Sequence, residues 1–402
     1  MSKVAFFVHD LLDAAVHRRL QMLRAGGSAV TLMGFTRHTA QTVTVEGVRT
    51  VELGRTEDGM LLKRVVSIIA AVANLKRVAQ HVRGADVVLA RNLEMLLIAA
   101  IARKRFAPHA RLVYECLDIH GLLVANHFAG KILRFIESRL WRGVDLLLTS
   151  SPAFVRHYFV PRAFPAEIKV VENKVLSLAG AELRAPPAQR TIGPPWRIGW
   201  FGVIRCRKSL DILSSLAAAT DGAVEVVIRG RPSNKTFRDL EAAIATRSHV
   251  QYLGPYRNPE DLREIYRDVH FIWSVDYYES GRNSAWLLPN RIYEGLAYGA
   301  IPIGLAGIET GDWLYARSVG VVLGEPLGDQ LVSFFRSLDQ PTYASLVRAV
   351  GGLPRKFILS DESDCSDLVR SLRGGGEDYF REISDGTLTA DAHTRSHIEA
   401  RT

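Results

Sequence analysis

The segment 288–304 carries residue types that could hold a nucleotide. Asn290 and Arg291 lie about one helical turn before Glu294, and the spacing of the apolar residues predicts one helix that ends at Gly299. In α/β proteins, an acid at a helix start that faces a glycine-rich turn binds the hydroxyls of a nucleotide ribose. The segment therefore predicts a ribose site at Glu294. The alternative is a solvated glutamate on a helix face.

Two further segments could bind phosphate. Arg205, Arg207 and Lys208 follow a predicted strand, where a helix begins. Cations at a helix N-terminus would bind a diphosphate, because their charges add to the N–H dipoles; the alternative is a basic surface turn. Between Gly307 and Gly311, backbone N–H groups could approach a phosphate or a sugar hydroxyl, although an ordinary helix start is the alternative.

A carboxylate and an imidazole follow the predicted strand 111–116. Asp118 or His120 could accept a proton from a hydroxyl group, because both would stand at the carboxyl end of that strand. The alternative is that both residues only shape a turn. The sequence contains no paired CxxC motif, no phosphate-binding GxxxxGK loop, no GxGxxG and no Asp-x-Asp.

The elements that position these residues alternate between strands and helices, which predicts parallel βαβ units. The predicted strands are 4–8, 29–33, 43–51, 86–89, 111–116, 144–148, 168–171, 197–201, 224–228, 250–252, 270–273, 301–303 and 319–322. A proline-rich break divides them. We expect an acceptor-binding domain at 1–180, a linker at 181–196, a nucleotide-binding domain at 197–360, a helix within 361–385 that packs back on the first domain, and a disordered tail at 386–402.

Charge is unevenly distributed along the 402 residues. The net charge is +9, and residues 1–170 hold 24 Lys and Arg against 13 Asp and Glu. A basic first half indicates an anionic partner, either a membrane surface, a lipid phosphate or a nucleic acid. The predicted helices 61–82 and 132–141 place cations beside apolar faces. The alternative is a solubilising surface.

The cysteines and the apolar runs indicate the compartment. The three cysteines are far apart and match no metal spacing, which suits a reducing cytosol. The apolar run after Met1 is too short for a signal peptide, and the run 65–75 is too short to span a bilayer. We therefore expect a cytoplasmic protein.

The segment 289–303 resembles the helix–turn–strand motif of GT-B glycosyltransferases of the family-4 kind, with Pro, Arg, Glu, Ala, Gly and Pro in the same order. The run 283–291 is similar to bacterial exopolysaccharide enzymes of the succinoglycan type. The resemblance implies an α/β fold of two Rossmann-like, doubly wound domains that face each other across a cleft. It also implies that Glu294 holds the donor ribose, that Lys208 neutralises the diphosphate, and that Arg229 lies near the base and phosphates.

The chain departs from the family pattern at two positions. Val203 stands where the family has an arginine, and Arg205 is the expected substitute. Trp286 stands where retaining members have a glutamate that touches the donor sugar, so Asp276 or Glu279 would have to make that contact. This leaves open whether the reaction retains or inverts the anomeric configuration.

A second resemblance concerns the residues that would contact the acceptor. The turn with Asp118 and His120 resembles the acid-bearing turn of inverting exopolysaccharide enzymes and the histidine-bearing turn of retaining relatives. Asp118 is the preferred base and His120 the reserve. His9 and Asp10 follow the first predicted strand, where these enzymes admit the acceptor.

The resemblance implies a hexosyltransferase of exopolysaccharide biosynthesis that is peripheral on the inner face of the plasma membrane. The donor would be a nucleoside-diphosphate sugar, expected to be a UDP-sugar, and the acceptor a polyprenyl-diphosphate-linked oligosaccharide. No metal ion, other cofactor or nucleic acid is expected. The alternatives are a GT-B sugar-nucleotide epimerase and a non-enzymatic basic protein that binds anionic membrane or nucleic acid. The sequence leaves the donor sugar, the linkage and the oligomeric state open.

Overall fold

The chain divides into two compact units. The computed structural model describes residues 1–36, 44–45, 47–56, 61–178 and 192–375. The first unit contains residues 1–171 and the chain from Glu362 onward, and the second contains Glu172–Asp361. Most of the expected linker, 181–191, and the whole expected tail, 386–402, lie outside the described residues.

The strands follow one another along both units. In chain order they are β1 (Ser2–Val8), β2 (Ser28–Thr36), β3 (Thr44–Val45), β4 (Val48–Arg55), β5 (Val87–Arg91), β6 (Arg111–Cys116), β7 (Leu146–Thr149), β8 (Glu167–Val170), β9 (Val175–Leu176), β10 (Trp196–Ile204), β11 (Val224–Pro232), β12 (Val250–Tyr252), β13 (Phe271–Trp273), β14 (Ile301–Leu305), β15 (Val321–Leu323) and β16 (Leu359–Ser360).

The helices alternate with these strands. They are α1 (Ala14–Ala25), α2 (Leu61–Ala73), α3 (Ala79–Val82), α4 (Leu93–Phe106), α5 (Gly121–Val124), α6 (Phe128–Trp141), α7 (Pro152–Phe154), α8 (Arg207–Ala219), α9 (Leu240–Ile244), α10 (Leu262–Arg267), α11 (Asn283–Trp286), α12 (Asn290–Ala297), α13 (Glu309–Ala316), α14 (Leu327–Ser337), α15 (Gln340–Gly352) and α16 (Glu362–Leu372). Short 3₁₀ turns cover Leu75–Val78, Val160–Arg162 and Arg355–Phe357, and a π-helical turn covers Val155–Phe159.

The first unit is built on one sheet in the order β3-β4-β2-β1-β5-β6-β7-β8. All pairs in it are parallel except β3 with β4. β1 and β5 read as continuous apolar runs because strands of a parallel sheet are covered on both faces, and Phe6, Phe7 and Leu89 are fully buried. α16 packs on α1, where Gly26 lies against the Cys365 carbonyl too closely for a side chain.

The second unit holds a parallel sheet in the order β12-β11-β10-β13-β14-β15. Its core is aromatic, and Trp196, Trp200 and Trp273 are almost fully buried. A separate two-stranded sheet pairs β9 with β16. The two doubly wound units confirm the expected α/β class.

The boundary between the units differs from the expected one. The first domain was expected to reach residue 180, but the chain from Glu172 belongs to the second unit. The reason is the pairing of β9 with β16, in which the Val175 and Ser177 N–H groups donate to Ile358 and Ser360. A two-residue strand gives too little periodicity to be recognised in a sequence.

The predicted helix 61–82 was too long. α2 ends at Ala73, and a 3₁₀ turn and then α3 follow. The Asn74 side chain donates a 2.9 Å hydrogen bond to the Ala70 carbonyl, so it competes for the backbone where the helix stops. In the described residues, no single helix has the length and apolarity of a membrane span, although the pair Val65–Ala73 and Leu75–Val82, bent by 65°, meets those two criteria together.

Candidate active site

The strand order of the second unit reverses between β10 and β13. At such a switch point, the carboxyl ends of two neighbouring strands leave a crevice in which α/β proteins bind ligands. Arg205 follows β10 and Asp276 lies shortly after β13. Nη2 and Nε of Arg205 lie 2.8 and 3.1 Å from Oδ2 of Asp276, so this ion pair spans the β10–β13 crevice.

Glu294 lies in α12, which begins at Asn290 after Pro289 and is followed by Gly299 with φ of +76°. The Glu294 side chain is buried, and both carboxylate oxygens accept a hydrogen bond. Asn258 Nδ2 lies 3.2 Å from Oε1, and the Tyr266 hydroxyl lies 2.6 Å from Oε2. A carboxylate has about four lone-pair positions, so two such bonds do not by themselves saturate it.

Tyr266 is a hydrogen-bond donor in this pair. Burial, followed by the negative charge of Glu294, raises the pKa of Tyr266 well above its ordinary value. The phenol therefore stays protonated and its hydroxyl hydrogen points to the carboxylate. Burial also raises the pKa of Tyr256, and Glu294 adds to that rise. The acid thus lies in an aromatic pocket that fixes its orientation.

Arg229 and Arg291 are two of the arginines whose Nε is buried without a hydrogen-bond partner among the described residues of the second unit. Arg291 Nη1 donates to the Phe201 carbonyl at 3.3 Å, but Arg291 Nε is buried without a hydrogen-bond partner in the described part of the chain. Burial lowers the pKa of Arg291, against the opposing effect of Asp276. Arg229 Nε is likewise buried and unpaired among the described residues. Unpaired buried donors of this kind can receive an anionic ligand.

Gly230 next to Arg229 is required by close packing of the backbone. It has φ of +132°, and an added Cβ would lie 1.8 Å from the Gly202 carbonyl oxygen of the paired strand β10. The two strand ends therefore approach as only glycine allows.

Lys208 is the second residue of α8, as expected of a cation at a helix start. Its Nζ lies 3.3 Å from Glu325 Oε1 and 3.8 Å from the centre of the Tyr277 ring. The Leu327 N–H bond, together with Tyr277 and Lys208, keeps the pKa of Glu325 below its ordinary value. More than half of the Lys208 side chain remains exposed to solvent.

Gly311 and Asn290 have different surroundings. Gly311 lies in the first turn of α13, and an added Cβ would lie 2.0 Å from the Leu305 carbonyl. Packing of α13 on β14 is therefore sufficient to require this glycine, and phosphate binding by its N–H stays a prediction. Asn290 is exposed at the start of α12.

The two candidates for the missing sugar contact also differ. Asp276 is buried, and besides the Arg205 bond it accepts one from the Tyr278 N–H at 2.9 Å. Glu279 is half-buried, and its N–H donates to Ser284 Oγ at 3.0 Å. Trp286, which occupies the usual glutamate position, is the last residue of the short α11. The role of sugar contact stays a prediction for both acids.

In the first unit, the strand order reverses between β1 and β5, and the two acceptor-side candidates follow β6. Asp118 is exposed. His120 is the N-cap of α5, and its Nδ1 accepts the Leu122 N–H at 3.2 Å. A neutral imidazole with an accepting Nδ1 carries its proton on Nε2, so this geometry does not leave Nε2 as a base.

His9 and Asp10, singled out together from the sequence, contact different neighbours. Asp10 Oδ1 accepts the Leu12 N–H at 3.0 Å. His9 Nε2 instead lies 3.5 Å from Oδ2 of Asp13, and its Nδ1 lies 3.4 Å from Nδ2 of Asn92. Neither Asp13 nor Asn92 was singled out from the sequence.

The sequence also missed Asn258 and Tyr266 as partners of Glu294. Asn258 and Tyr266 lie 36 and 28 residues before it, and no local motif connects them. Across the described residues, no group of three or more His, Cys, Asp and Glu side chains is arranged to hold a metal ion. The absence of a metal from the reaction stays a prediction that depends on the cations at the crevice.

The architecture is similar to solved glycosyltransferase structures. HepE from Anabaena, in complex with UDP and glucose, matches 92% of this chain and 99% of its own, with a TM-score of 0.65 and 14% identity. Sucrose-phosphate synthase from Thermosynechococcus elongatus matches 96% of this chain and 100% of its own, with a TM-score of 0.66 and 14% identity. The fold is therefore the GT-B fold of glycosyltransferases, as the sequence predicted.

Sequence comparison identifies the family. The family model described as "Glycosyl transferase 4-like domain" matches residues 13–174. The succinoglycan biosynthesis protein ExoL of Rhizobium meliloti (strain 1021) is 42% identical over 376 residues, which cover 92% of this chain and 93% of that protein. The chain belongs to this family of GT-B glycosyltransferases and is a transferase.

Proposed function

We propose that the protein transfers a hexose from a UDP-sugar to a polyprenyl-diphosphate-linked oligosaccharide in exopolysaccharide biosynthesis. The observation that carries the proposal is the placement of Arg291 and Arg205 near Asp276 at the β10–β13 crevice. Glu294 lies one turn after Arg291 on α12, and Lys208 lies on the helix that follows β10. An oriented carboxylate suits ribose hydroxyls, and three cations suit the diphosphate.

The donor class has independent support. Solved structures of HepE hold UDP and UDP-glucose. The relative ExoL is named for succinoglycan biosynthesis. These names favour a uridine donor and a polysaccharide pathway over the epimerase and the non-enzymatic binding protein.

The leaving diphosphate is proposed to be neutralised by side chains. Negative charge on the leaving group grows in the transition state, so cations already positioned there lower the barrier. Arg229 Nε and Arg291 Nε have no hydrogen-bond partner among the described residues, so both can donate to phosphate oxygens. We therefore propose a reaction that needs no divalent metal ion, and activity should persist in the presence of EDTA.

Asp118 is the proposed base on the acceptor hydroxyl. It is exposed after β6, while the competing His120 uses Nδ1 to cap α5. The cap makes Nε2 the protonated nitrogen, and a proton acceptor must have a free lone pair. Asp118 therefore suits the inverting reaction better than His120.

The acceptor lipid suggests docking on the inner face of the plasma membrane, through the helices α2 and α6. Both pack against α4 and both expose large apolar side chains. In α6, Phe128 is 78% exposed and Phe135 is 69% exposed, and Lys131 and Arg139 are exposed on the same helix. Apolar residues beside cations are typical of helices that bind anionic membrane surfaces.

One cation expected on this surface has another role. Arg134 Nη1 donates to the Leu123 carbonyl at 3.1 Å and to the Ala125 carbonyl at 2.7 Å. It therefore fixes the turn between α5 and α6. The proposed membrane contact depends on the exposed cations of α6 and not on Arg134.

The experiment is a donor screen with a lipid extract. The purified protein is incubated with radiolabelled UDP-glucose, UDP-galactose and UDP-glucuronate, with and without a glycolipid extract of succinoglycan-producing bacterial membranes. We expect label in the organic phase with one donor, only when the extract is present, and in EDTA as well. Glu294→Ala is the matched comparison, and it should transfer less label than the wild type when the donor is below saturation.

Other outcomes would contradict the proposal. Conversion of the UDP-sugar to an epimer without extract would indicate an epimerase. Transfer of label to a water-soluble acceptor alone would contradict the lipid-linked substrate. Loss of activity in EDTA, restored by Mg²⁺, would contradict the metal-independent reaction.

A further inference from the structure

The first unit has its own candidate crevice, formed by residues other than those of the β10–β13 crevice. Its sheet order reverses between β1 and β5, and the carboxyl ends of the strands at such a point form a ligand crevice. His9 directly follows β1, and Asn92 directly follows β5. His9 Nδ1 and Asn92 Nδ2 lie 3.4 Å apart, so the two side chains meet across this β1–β5 crevice.

Asp13 holds the His9 ring. Its Oδ2 lies 3.5 Å from His9 Nε2, and its Oδ1 accepts N–H groups of Ala15 and Val16 as the N-cap of α1. Burial raises the pKa of Asp13, but the His9 bond and the charge of Arg91 outweigh it and hold that pKa well below the ordinary range. An ionised Asp13 accepts a hydrogen bond from Nε2–H of His9. In the neutral ring this geometry assigns the lone pair to Nδ1.

A buried cluster of charged side chains, Arg91, Arg19 and Glu115, lies next to Asp13. Arg91 Nε and Arg19 Nε each lie 2.6 Å from one oxygen of Glu115, and all three side chains are almost fully buried. Arg91 Nη1 also lies 3.9 Å from Asp13 Oδ1. The floor of the crevice is therefore fixed by paired charges, which limits the movement of the His9 ring.

Asn92 has an unusual backbone for its residue type. Its φ of 71° and ψ of 166° lie in a region that essentially only glycine adopts. It is the N-cap of α4, yet its side chain makes no capping hydrogen bond and lies beside His9 instead. Asn92 therefore has a strained backbone and also lacks the stabilising bond of a helix cap. Strained residues of this kind cluster at ligand-binding sites.

We propose that His9 and Asn92 bind a hydroxyl group of the acceptor sugar at the β1–β5 crevice. The hydroxyl donates to His9 Nδ1 and accepts from Asn92 Nδ2, replacing the long direct contact between them. Both side chains are partly accessible to solvent. His9 is a binding residue in this assignment, and it rests on the proposed transfer to a carbohydrate acceptor.

The kinetic test varies the amount of the glycolipid extract at a saturating concentration of the UDP-sugar selected by the donor screen. His9→Ala should raise the half-saturating amount of extract about tenfold, the usual effect of one lost hydrogen bond, with UDP affinity unchanged. His9→Asn should restore most of it, because Oδ1 can accept near the position of Nδ1. His109→Ala, at the exposed turn before β6, is the control and should behave as wild type.

Asn92→Gly separates binding from folding. Glycine relaxes the backbone strain, so the variant should melt at the same or a higher temperature while its half-saturating amount of extract rises. A lower melting temperature with unchanged dependence on the extract would show that Asn92 is only structural. If His9→Asn loses kcat as fully as His9→Ala, His9 is the base and the binding assignment is wrong.

A direct titration is independent of turnover. Saturation-transfer NMR with millimolar methyl β-glucoside and methyl β-galactoside should show contacts with the wild-type protein that disappear in His9→Ala. Equal signals in both proteins, or none in the wild type, would overturn the acceptor site. Absence of transfer to every extract, with hexoside signals that depend on His9, would contradict the proposed function and leave this site supported.

Discussion

The Tyr266 hydroxyl donates a 2.6 Å hydrogen bond to Glu294 Oε2, across 28 positions of sequence. The tyrosine is fully buried and its pKa is raised, so its hydroxyl stays protonated and is the donor in this bond. Asn258 takes the other oxygen. The carboxylate is thus oriented before any ligand binds, which reduces the ordering cost of binding.

Replacement of Glu294 should weaken UDP binding. A hydrogen bond to a charged group contributes roughly 1.5–3 kcal/mol, so Glu294→Ala should raise the Kd for UDP about tenfold or more. Tyr266→Phe keeps the carboxylate and removes only its orientation, so its effect should be smaller. Isothermal titration calorimetry measures both, and an unchanged Kd for Glu294→Ala would remove the ribose assignment.

Replacement of Lys208 should lower turnover. Because the charge of the leaving diphosphate grows in the transition state, Lys208→Ala should reduce kcat and not only raise KM. The neighbouring Arg207→Ala is a matched control, since Arg207 Nη2 donates to the Thr236 carbonyl and its guanidinium lies over Phe237. A rise in KM alone would show that Lys208 binds ground state and transition state equally.

The two acceptor-side candidates should respond differently. Asp118→Asn keeps the shape and removes the proton acceptor, so the transfer rate should fall about 10²–10⁴-fold with UDP affinity unchanged. His120→Ala removes a helix cap and should mainly lower the melting temperature. Steady-state rates and thermal melts distinguish them, and wild-type turnover in Asp118→Asn would exclude it as the base.

Binding of the first unit to membranes should depend on charge and salt. Each cation near an anionic surface contributes about 1 kcal/mol, and salt screens it. Lys131→Glu with Arg139→Glu should therefore weaken sedimentation with phosphatidylglycerol liposomes, and Phe135→Ser should weaken it further. Arg348→Glu, exposed in the second unit, is the control. Equal binding to neutral liposomes would contradict the electrostatic explanation.

Glu137 should make stability depend on pH. It is fully buried, with its carboxylate bonded to the hydroxyls of Tyr114 and Tyr158, and burial raises the pKa of Glu137 from 4.5 to about 7. The folded state therefore binds the proton more tightly than the unfolded state. The stability from this group is present below pH 4.5 and is lost as the pH rises through about 7, by about 3 kcal/mol in total.

Glu137→Gln removes that titration and keeps side-chain shape. Urea unfolding followed by circular dichroism should show the variant gaining stability relative to wild type between about pH 5 and pH 8, the range that brackets the raised pKa. Parallel stability curves for the two proteins over this range would mean that Glu137 is already ionised, or already protonated, throughout.

The limits of the sequence interpretation are clear at particular residues. Apolar periodicity found the parallel strands, but it extended α2 through Asn74 and missed β9, because a side-chain bond to the Ala70 carbonyl and a two-residue pairing leave no periodic signal. Sequence adjacency suggested that His9 and Asp10 act together. A helix-capping turn instead gives the His9 contact to Asp13.

The sequence by itself determined the alternating α/β architecture and indicated Glu294 as the candidate ribose acid, since both signals come from residues close together along the chain. Tertiary structure alone decided the partners: Arg205 with Asp276, 71 residues apart, and His9 with Asn92, 83 residues apart. The physical reason is that both pairs form where a sheet order reverses. Strand order is set by packing of the whole unit, so no local pattern indicates which strand ends become neighbours.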